Sequence, residues 1–209
     1  MAKLYFYYSA MNAGKSTLLL QSAYNYRERN LDTLILIPKI GIKNNNQYGT
    51  IDSRIGLSSP AIAISPLEDL FKLINFEKLN NPNIACVLID EAQFLTKNQV
   101  YQIASIVDEV NLPVLCYGIR SDFQAEPFPG SIYLLAIADH LIEVKTICHC
   151  GSKATMNLRI DEHGKAVKQG EQVLIGGNNH YIATCRKHFN LNDSGNIKNF
   201  SNKIISSCQ

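Results

Sequence analysis

The chain has 209 residues, 46% apolar and 18% charged, enough to bury a sizeable core and too apolar for global disorder. Its formal net charge of +2 comes from lysines and arginines scattered along the chain, which excludes the clustered basic footprint of a duplex-DNA binder. No apolar run approaches the ~18 residues of a membrane helix, and the first eight residues lack the apolar core and cleavage site of a signal peptide. A soluble, cytoplasmic protein with no membrane or nucleic-acid partner is therefore expected.

In chain order, the apolar and aromatic run 4–8 predicts a buried strand. A turn of small residues follows, then a helix over 15–29 whose apolar face is Leu18, Leu19, Ala23 and Tyr26. Residues 33–37 read as a second strand ended by Pro38. The stretch 41–53, with Asn44, Asn45, Asn46 and Gly49 and no periodicity, reads as a mobile loop. A short strand over 61–64 is expected. Ser65-Pro66-Leu67-Glu68 then resembles a helix cap with proline at the first helical position, opening a helix to about residue 74. The continuous apolar run 84–89 ends in Asp90-Glu91. Thr96 is placed to cap a helix reaching about residue 110. Residues 113–117 form another buried strand, 130–138 a helix and 141–144 a strand. Strands alternating with helices predict βαβ units and a mostly parallel sheet.

That alternation stops near Lys145. Three regions are expected: an α/β domain over 1–145, a small β module over 146–192, and an Asn- and Ser-rich flexible tail over 193–209.

Ser9-Ala10-Met11-Asn12-Ala13-Gly14-Lys15-Ser16 matches the phosphate-binding pattern G-x-x-x-x-G-K-[ST], with Ser9 in place of the first glycine. The backbone N–H groups of such a loop and the dipole of the following helix cradle the β-phosphate. Lys15 would reach the β/γ oxygens, and the Ser16 hydroxyl would ligate Mg²⁺. Cys86-Val87-Leu88-Ile89-Asp90-Glu91 is four apolar-strand residues followed by an acid that holds Mg²⁺. A second acid, Glu91, stands where it would accept a proton from the nucleophile.

Of the six cysteines, Cys86 and Cys116 lie in apolar strand runs and read as core, and Cys208 sits in the tail. Clustered cysteines in a reducing compartment point to a metal before disulfides. Cys148, Cys150, Cys185 and His188 make a Cys₃His set suited to a closed, structural zinc site. The Cys-x-Cys spacing is one residue shorter than the commoner pair, and His149 is an alternative ligand. His140 and His163 read as surface residues. Gly176-Gly177, between two short strands, reads on local grounds alone as a flexible hairpin tip.

Together these motifs resemble the zinc-containing P-loop thymidine kinases over residues 3–190. The carrying stretches are Tyr7-Tyr8-Ser9-Ala10-Met11-Asn12-Ala13-Gly14-Lys15-Ser16-Thr17, Asp90-Glu91-Ala92-Gln93-Phe94, Tyr117-Gly118-Ile119-Arg120-Ser121-Asp122-Phe123 and Val173-Leu174-Ile175-Gly176-Gly177-Asn178-Asn179-His180-Tyr181. The resemblance implies a P-loop NTPase fold of RecA-like type, a mostly parallel sheet with helices, plus a zinc-bound β module carrying a lasso loop. It implies Glu91 as catalytic base on the 5′-hydroxyl, and nucleotide contacts from Ser9 to Ser16 and from Asp90, Glu91, Ala92 and Gln93. It implies a nucleoside site of Met11, Phe123 stacking on thymine, and Gln172, Val173, Leu174, Ile175, Gly176 and Tyr181 of the lasso. Arg54 is expected near the phosphate-transfer site. Further implications are ATP with Mg²⁺, structural Zn²⁺, thymidine with deoxyuridine as a weaker substrate, inhibition by thymidine triphosphate, and a homotetramer. In that light the Gly176-Gly177 turn becomes functional, because a loop that reads a base through its backbone must approach it closely and exclude water.

Other classes fit less well. A GTPase would show N-K-x-D, and a zinc deaminase H-x-E with P-C-x-x-C; neither is present. A zinc-ribbon nucleic-acid module would want more than Lys145, Lys153, Arg159, Arg186 and Lys187 near the cysteines.

Overall fold

The computed structural model describes residues 1–39, 48–172 and 180–195. Among them a seven-stranded sheet forms the framework, built from β1 (Leu4–Ser9), β2 (Asp32–Pro38), β3 (Tyr48–Asp52), β4 (Ser58–Ile64), β5 (Ile84–Ile89), β6 (Val114–Ile119) and β7 (His140–Glu143). The spatial order is β3-β4-β2-β5-β6-β1-β7. Every pairing is parallel except that of β3 with β4. Strand β6 separates β1, which leads into the phosphate loop, from β5, which leads into Asp90, as expected of a RecA-like sheet.

Helices α1 (Lys15–Arg27), α2 (Leu70–Asn80), α3 (Lys97–Glu109) and α4 (Pro129–Ile137) connect these strands. The central strands read as unbroken apolar runs because both faces are covered. One face packs Phe6, Leu36, Ile89 and Cys116 with Leu70, Ile74, Val100, Ile103, Ile106 and Leu134 from the helices. The other packs Leu19, Leu20 and Ala23 of α1 against Ile35, Cys86, Leu88 and Tyr117. Cys86 and Cys116 are fully buried core residues, as expected. Thr96 caps α3 through a reciprocal pair of bonds with Gln99.

Three local expectations are corrected. Residues 48–52 are not loop but strand β3, held by antiparallel pairing to β4; residues 41–47 of the expected loop lie outside the described residues. Helix α2 opens at Leu70, not Pro66. Its cap is Asp69, whose carboxylate accepts the Lys72 N–H, while the Ser65 carbonyl is taken by the Gln99 amide. The first helix ends at Arg27, two residues early, with Glu28 as its cap.

Beyond β7 the chain leaves the sheet. Strands β8 (Thr146–Ile147) and β9 (Lys153–Ala154) form one hairpin, and β10 (Met156–Arg159) pairs antiparallel with β11 (Tyr181–Thr184). A one-and-a-half-turn helix, α5 (Arg186–Leu191), follows directly. Among the described residues, no helix is long and apolar enough to cross a membrane.

Candidate active site and metal centre

Parallel strands leave their carboxyl ends along one edge, where ligands of α/β proteins bind. Ser9 ends β1, Asp90 follows β5, and Arg120 follows β6 at that edge. The loop from Ala10 to Gly14 turns through left-handed Asn12 (φ 61°) and Gly14 (φ 83°) into α1. Gly14 is the position that needs a glycine, whereas Ser9 sits in extended strand backbone and tolerates a side chain. The substitution also adds a contact, because the Lys15 ammonium donates to the Ser9 hydroxyl at 2.8 Å and to the Ala10 carbonyl at 3.1 Å.

Lys15 is buried, and burial pushes its ammonium below the ordinary lysine range, partly offset by Glu91 and then Asp90. The Ser16 hydroxyl donates to Asp90 Oδ2 at 2.8 Å, so two hard oxygen donors, 74 residues apart in the chain, meet beside the lysine. Such a pair suits a small, oxygen-seeking cation such as Mg²⁺. Burial first, and Glu91 second, push the Asp90 carboxyl up to about 6, against the bond from Ser16.

Glu91 occupies the left-handed region (φ 51°, ψ 36°), unusual for a residue with a side chain. Its N–H donates to Asp90 Oδ1, and it caps a short 3₁₀ turn, Ala92–Phe94. That backbone lifts the Glu91 side chain to a half-exposed position while Ala92 and Gln93 stay buried beneath it.

Facing this edge is the β10–β11 hairpin. The buried Asn157 accepts the Met11 N–H at 2.7 Å and donates to the Ser121 carbonyl at 2.8 Å. Asn12 donates to the Tyr181 carbonyl at 3.2 Å. The phosphate loop is thus tied directly to the C-terminal module. Phe123, 3% exposed, meets Tyr181 edge-on with centroids 6.5 Å apart, and the Arg159 guanidinium lies 5.0 Å over the Phe123 ring. Gln172 donates to Asp122 beside them. Met11, Phe123, Tyr181 and Gln172 therefore gather at one side of the phosphate loop. Val173, Leu174, Ile175 and Gly176 lie outside the described residues.

Arg54 lies in the exposed turn between β3 and β4, the strands whose pairing runs from Tyr48 with Ile62 to Asp52 with Ser58.

The metal cluster assembles from two short elements. The β8–β9 hairpin presents Cys148 and Cys150. Its turn closes through the Gly151 N–H donating to the Cys148 carbonyl, with Gly151 at φ 82°, which is how a Cys-x-Cys spacing places both sulfurs on one side. Cys185 caps α5 and His188 lies one turn on. His188 Nδ1 is 3.3 Å from Cys148 Sγ and 3.5 Å from Cys185 Sγ, and Cys150 and Cys185 sulfurs are 4.0 Å apart. Tetrahedral zinc bonds of 2.0–2.3 Å require roughly 3.6 Å between S and N and roughly 3.8 Å between sulfurs. The four donors fit. Hydrogen bonds from Ser152 hold the Cys150 thiol down at about 6, toward the thiolate that a metal requires. His149 stacks on His188 at 4.3 Å, its Nδ1 3.7 Å from Cys148 Sγ, and its Nε2 pairs with Asp193 at 3.6 Å.

The model of the family described as thymidine kinase matches residues 2–189. The chain belongs to the thymidine kinase family. It is 62% identical over 191 residues to a thymidine kinase of Coxiella burnetii, covering 91% of this chain and 96% of that one. It is 61% identical over 195 residues to one of Legionella pneumophila, covering 93% and 92%. A thymidine kinase of Zymomonas mobilis is 58% identical over 189 residues, covering 90% and 96%. The family match spans both the phosphate-loop sheet and the Cys₃His module, the two parts that Asn157 and Asn12 join.

Sequence reasoning expected a pocket residue near Met156 and Asn157 without assigning one, and it missed Arg159 and Asp193, which make contacts with residues far along the chain, Phe123 and His149.

Proposed function

We propose that the protein transfers the γ-phosphoryl group of ATP to the 5′-hydroxyl of thymidine, and less readily to deoxyuridine, in pyrimidine deoxynucleoside salvage. The observation that carries this reading is the meeting of Lys15, the Ser16–Asp90 pair and Glu91 at the sheet edge faced by Phe123 and Tyr181, in a chain of this family. Residues 1–145 serve as the nucleotide-binding unit and 146–192 as the module that holds the nucleoside.

Residues Ser9 to Ser16 wrap the phosphates, with the N-terminus of α1 behind them. Lys15 offsets charge that develops on the transferred group. Ser16 and Asp90 would hold Mg²⁺, which would supply neutralisation of phosphate charge. Glu91 accepts the 5′-hydroxyl proton as that oxygen bonds to the γ-phosphorus and the bond to the ADP oxygen breaks; the products are the monophosphate, ADP and a proton held on Glu91. Ala92 and Gln93 contribute to the nucleotide side as the floor of the Glu91 turn. Phe123 stacks on the base, Met11 lines its edge, and Gln172 and Tyr181, with residues 173–176, close over it.

Cys148, Cys150, Cys185 and His188 would hold a zinc ion that fixes the ends of segment 151–184. With four protein ligands no position stays open, so the role is structural. The same reading carries a cytoplasmic homotetramer inhibited by thymidine triphosphate. The test is a coupled assay with ATP and each common deoxynucleoside. Thymidine should give monophosphate and stoichiometric ADP fastest, deoxyuridine more slowly; turnover of another nucleoside with none of thymidine would overturn the assignment.

A further inference from the structure

A general base works only if its carboxylate is held where the acceptor hydroxyl arrives. Glu91 stands on a left-handed backbone at the mouth of the site, and no secondary-structure ladder immobilises its side chain. The structure supplies a different support. Gln93, two residues on and 1% exposed, folds back beneath Glu91, and its amide donates to Glu91 Oε2 at 2.5 Å. The opposite end of the same amide is also engaged, because Gln93 Oε1 accepts the Ile119 N–H at 3.2 Å, at the end of β6. The Ile119 carbonyl in turn accepts the hydroxyl of Ser131, fully buried in α4, at 2.7 Å. A buried relay therefore runs from α4, through the end of β6, to the carboxylate of Glu91.

Two glycines make room for it. A Cβ on Gly118 would stand 2.8 Å from Gln93 Oε1 and 3.0 Å from the Gln93 nitrogen. A Cβ on Gly130 would stand 2.5 to 2.8 Å from the carbonyl oxygens of Ala92, Gln93 and Leu95. Neither glycine has a positive φ, so conformational freedom is not the reason for either. Both are open-space positions that let β6 and α4 close on the 3₁₀ turn from two sides. With both polar ends paired, Gln93 cannot rotate without breaking a buried bond.

We propose that Gln93 is a positioning residue that fixes the Glu91 carboxylate for proton abstraction, with Ile119, Ser131 and the bare backbone of Gly118 holding Gln93 in turn. Gln93 is 1% exposed with both ends of its amide engaged, so its part on the nucleotide side is played through Glu91. The inference rests on the reading of Glu91 as general base.

The test is a double-mutant cycle on the full-length protein with its metal retained. Single-turnover phosphoryl transfer to thymidine and the equilibrium binding of ATP and of thymidine are measured for Glu91→Gln, Gln93→Leu and the double variant. Misplacement of a reacting group by about 1 Å costs on the order of 10²-fold in rate. Gln93→Leu should slow transfer roughly 10- to 100-fold with both dissociation constants changed less than about twofold. On the Glu91→Gln background the same change should cost nothing further. Gln93→Glu keeps an acceptor for Ile119 but not the donor to Glu91; it should slow transfer as well, and it decides the question if the leucine variant does not fold. Gly118→Ala, which crowds Gln93 without altering its chemistry, should shift the rate the same way. A wild-type rate in Glu91→Gln would remove the base reading and this inference with it. A slow Glu91→Gln beside wild-type rates in the Gln93 variants would overturn the inference alone, as would an equal cost of Gln93→Leu on both backgrounds.

Discussion

Asp90→Asn should make the protein more stable and less active at the same time. Asp90 is 3% exposed, with Glu91 beside it, and its carboxyl is pushed up to about 6 from an ordinary 3.8. The folded chain therefore binds this proton more tightly than the unfolded chain does. By linkage, stability falls as pH rises from about 4 to about 6, and above that the cost of the buried charge is fully present. Two pH units at about 1.4 kcal/mol each would put that cost near 3 kcal/mol, with the attraction of Lys15 already included, so the gain on mutation is at most about 3 kcal/mol. Asparagine keeps the shape, can still accept the Glu91 N–H, and can still pair with the Ser16 hydroxyl. In a chain of this size each kcal/mol moves the melting temperature by about 2–4 °C. Thermal and urea unfolding of wild type and variant, without nucleotide or added Mg²⁺, should show the variant several degrees more stable at pH 7. The difference should fall to about half near pH 5 and close at about pH 4 and below, where Asp90 is protonated in the folded and unfolded chain alike. The variant's turnover should fall at least about 10²-fold, since a carboxylate that balances cation and phosphate charge is gone. A variant less stable than wild type at pH 7, or a stability difference that does not shrink on acidification, would show that burial of charge at Asp90 is not what the site tolerates for function.

Three further outcomes follow from the same geometry. Lys15→Ala should abolish measurable turnover in the coupled assay, because the transferred group loses its nearest fixed cation. Cys185→Ser should lower metal content, read by elemental mass spectrometry, and weaken thymidine binding in calorimetry while ATP binding at the sheet edge survives. Asn157→Leu leaves the Met11 N–H and the Ser121 carbonyl unpaired; it should cost about 2–4 kcal/mol in urea unfolding and weaken ATP binding, because the phosphate loop loses its tie to β10.

What the sequence disclosed depended on how local each determinant is. The run Ile84–Ile89, buried on both faces, announces itself by composition, and the Thr96–Gln99 capping box lies within four residues. The meeting of Lys15, Ser16, Asp90 and Glu91 at one sheet edge was legible because those residue types in that order are what phosphate and Mg²⁺ chemistry would demand. Strand β3 was not, since its pairing with β4 rather than its own pattern makes it a strand. Ser65-Pro66 imitates a helix start, but the Gln99 side chain claims the Ser65 carbonyl and the helix waits for Asp69. Asn157 joins Met11 across 146 residues, a relation no local pattern carries. The Cys₃His set was legible from ligand chemistry, while the turn at Gly151 that makes Cys-x-Cys workable was not.

In the proposed reaction Glu91 takes the proton from the 5′-hydroxyl, while other residues hold the two substrates. The measurement that addresses it most directly is the single-turnover rate of Glu91→Gln with ATP and thymidine saturating, beside the dissociation constant of each. Glutamine can still accept a hydrogen bond from the hydroxyl but cannot take its proton at neutral pH. The rate should be lower by about 10²-fold or more with both dissociation constants nearly unchanged. A rate close to that of the wild type, with thymidine and ATP bound as tightly, would contradict it.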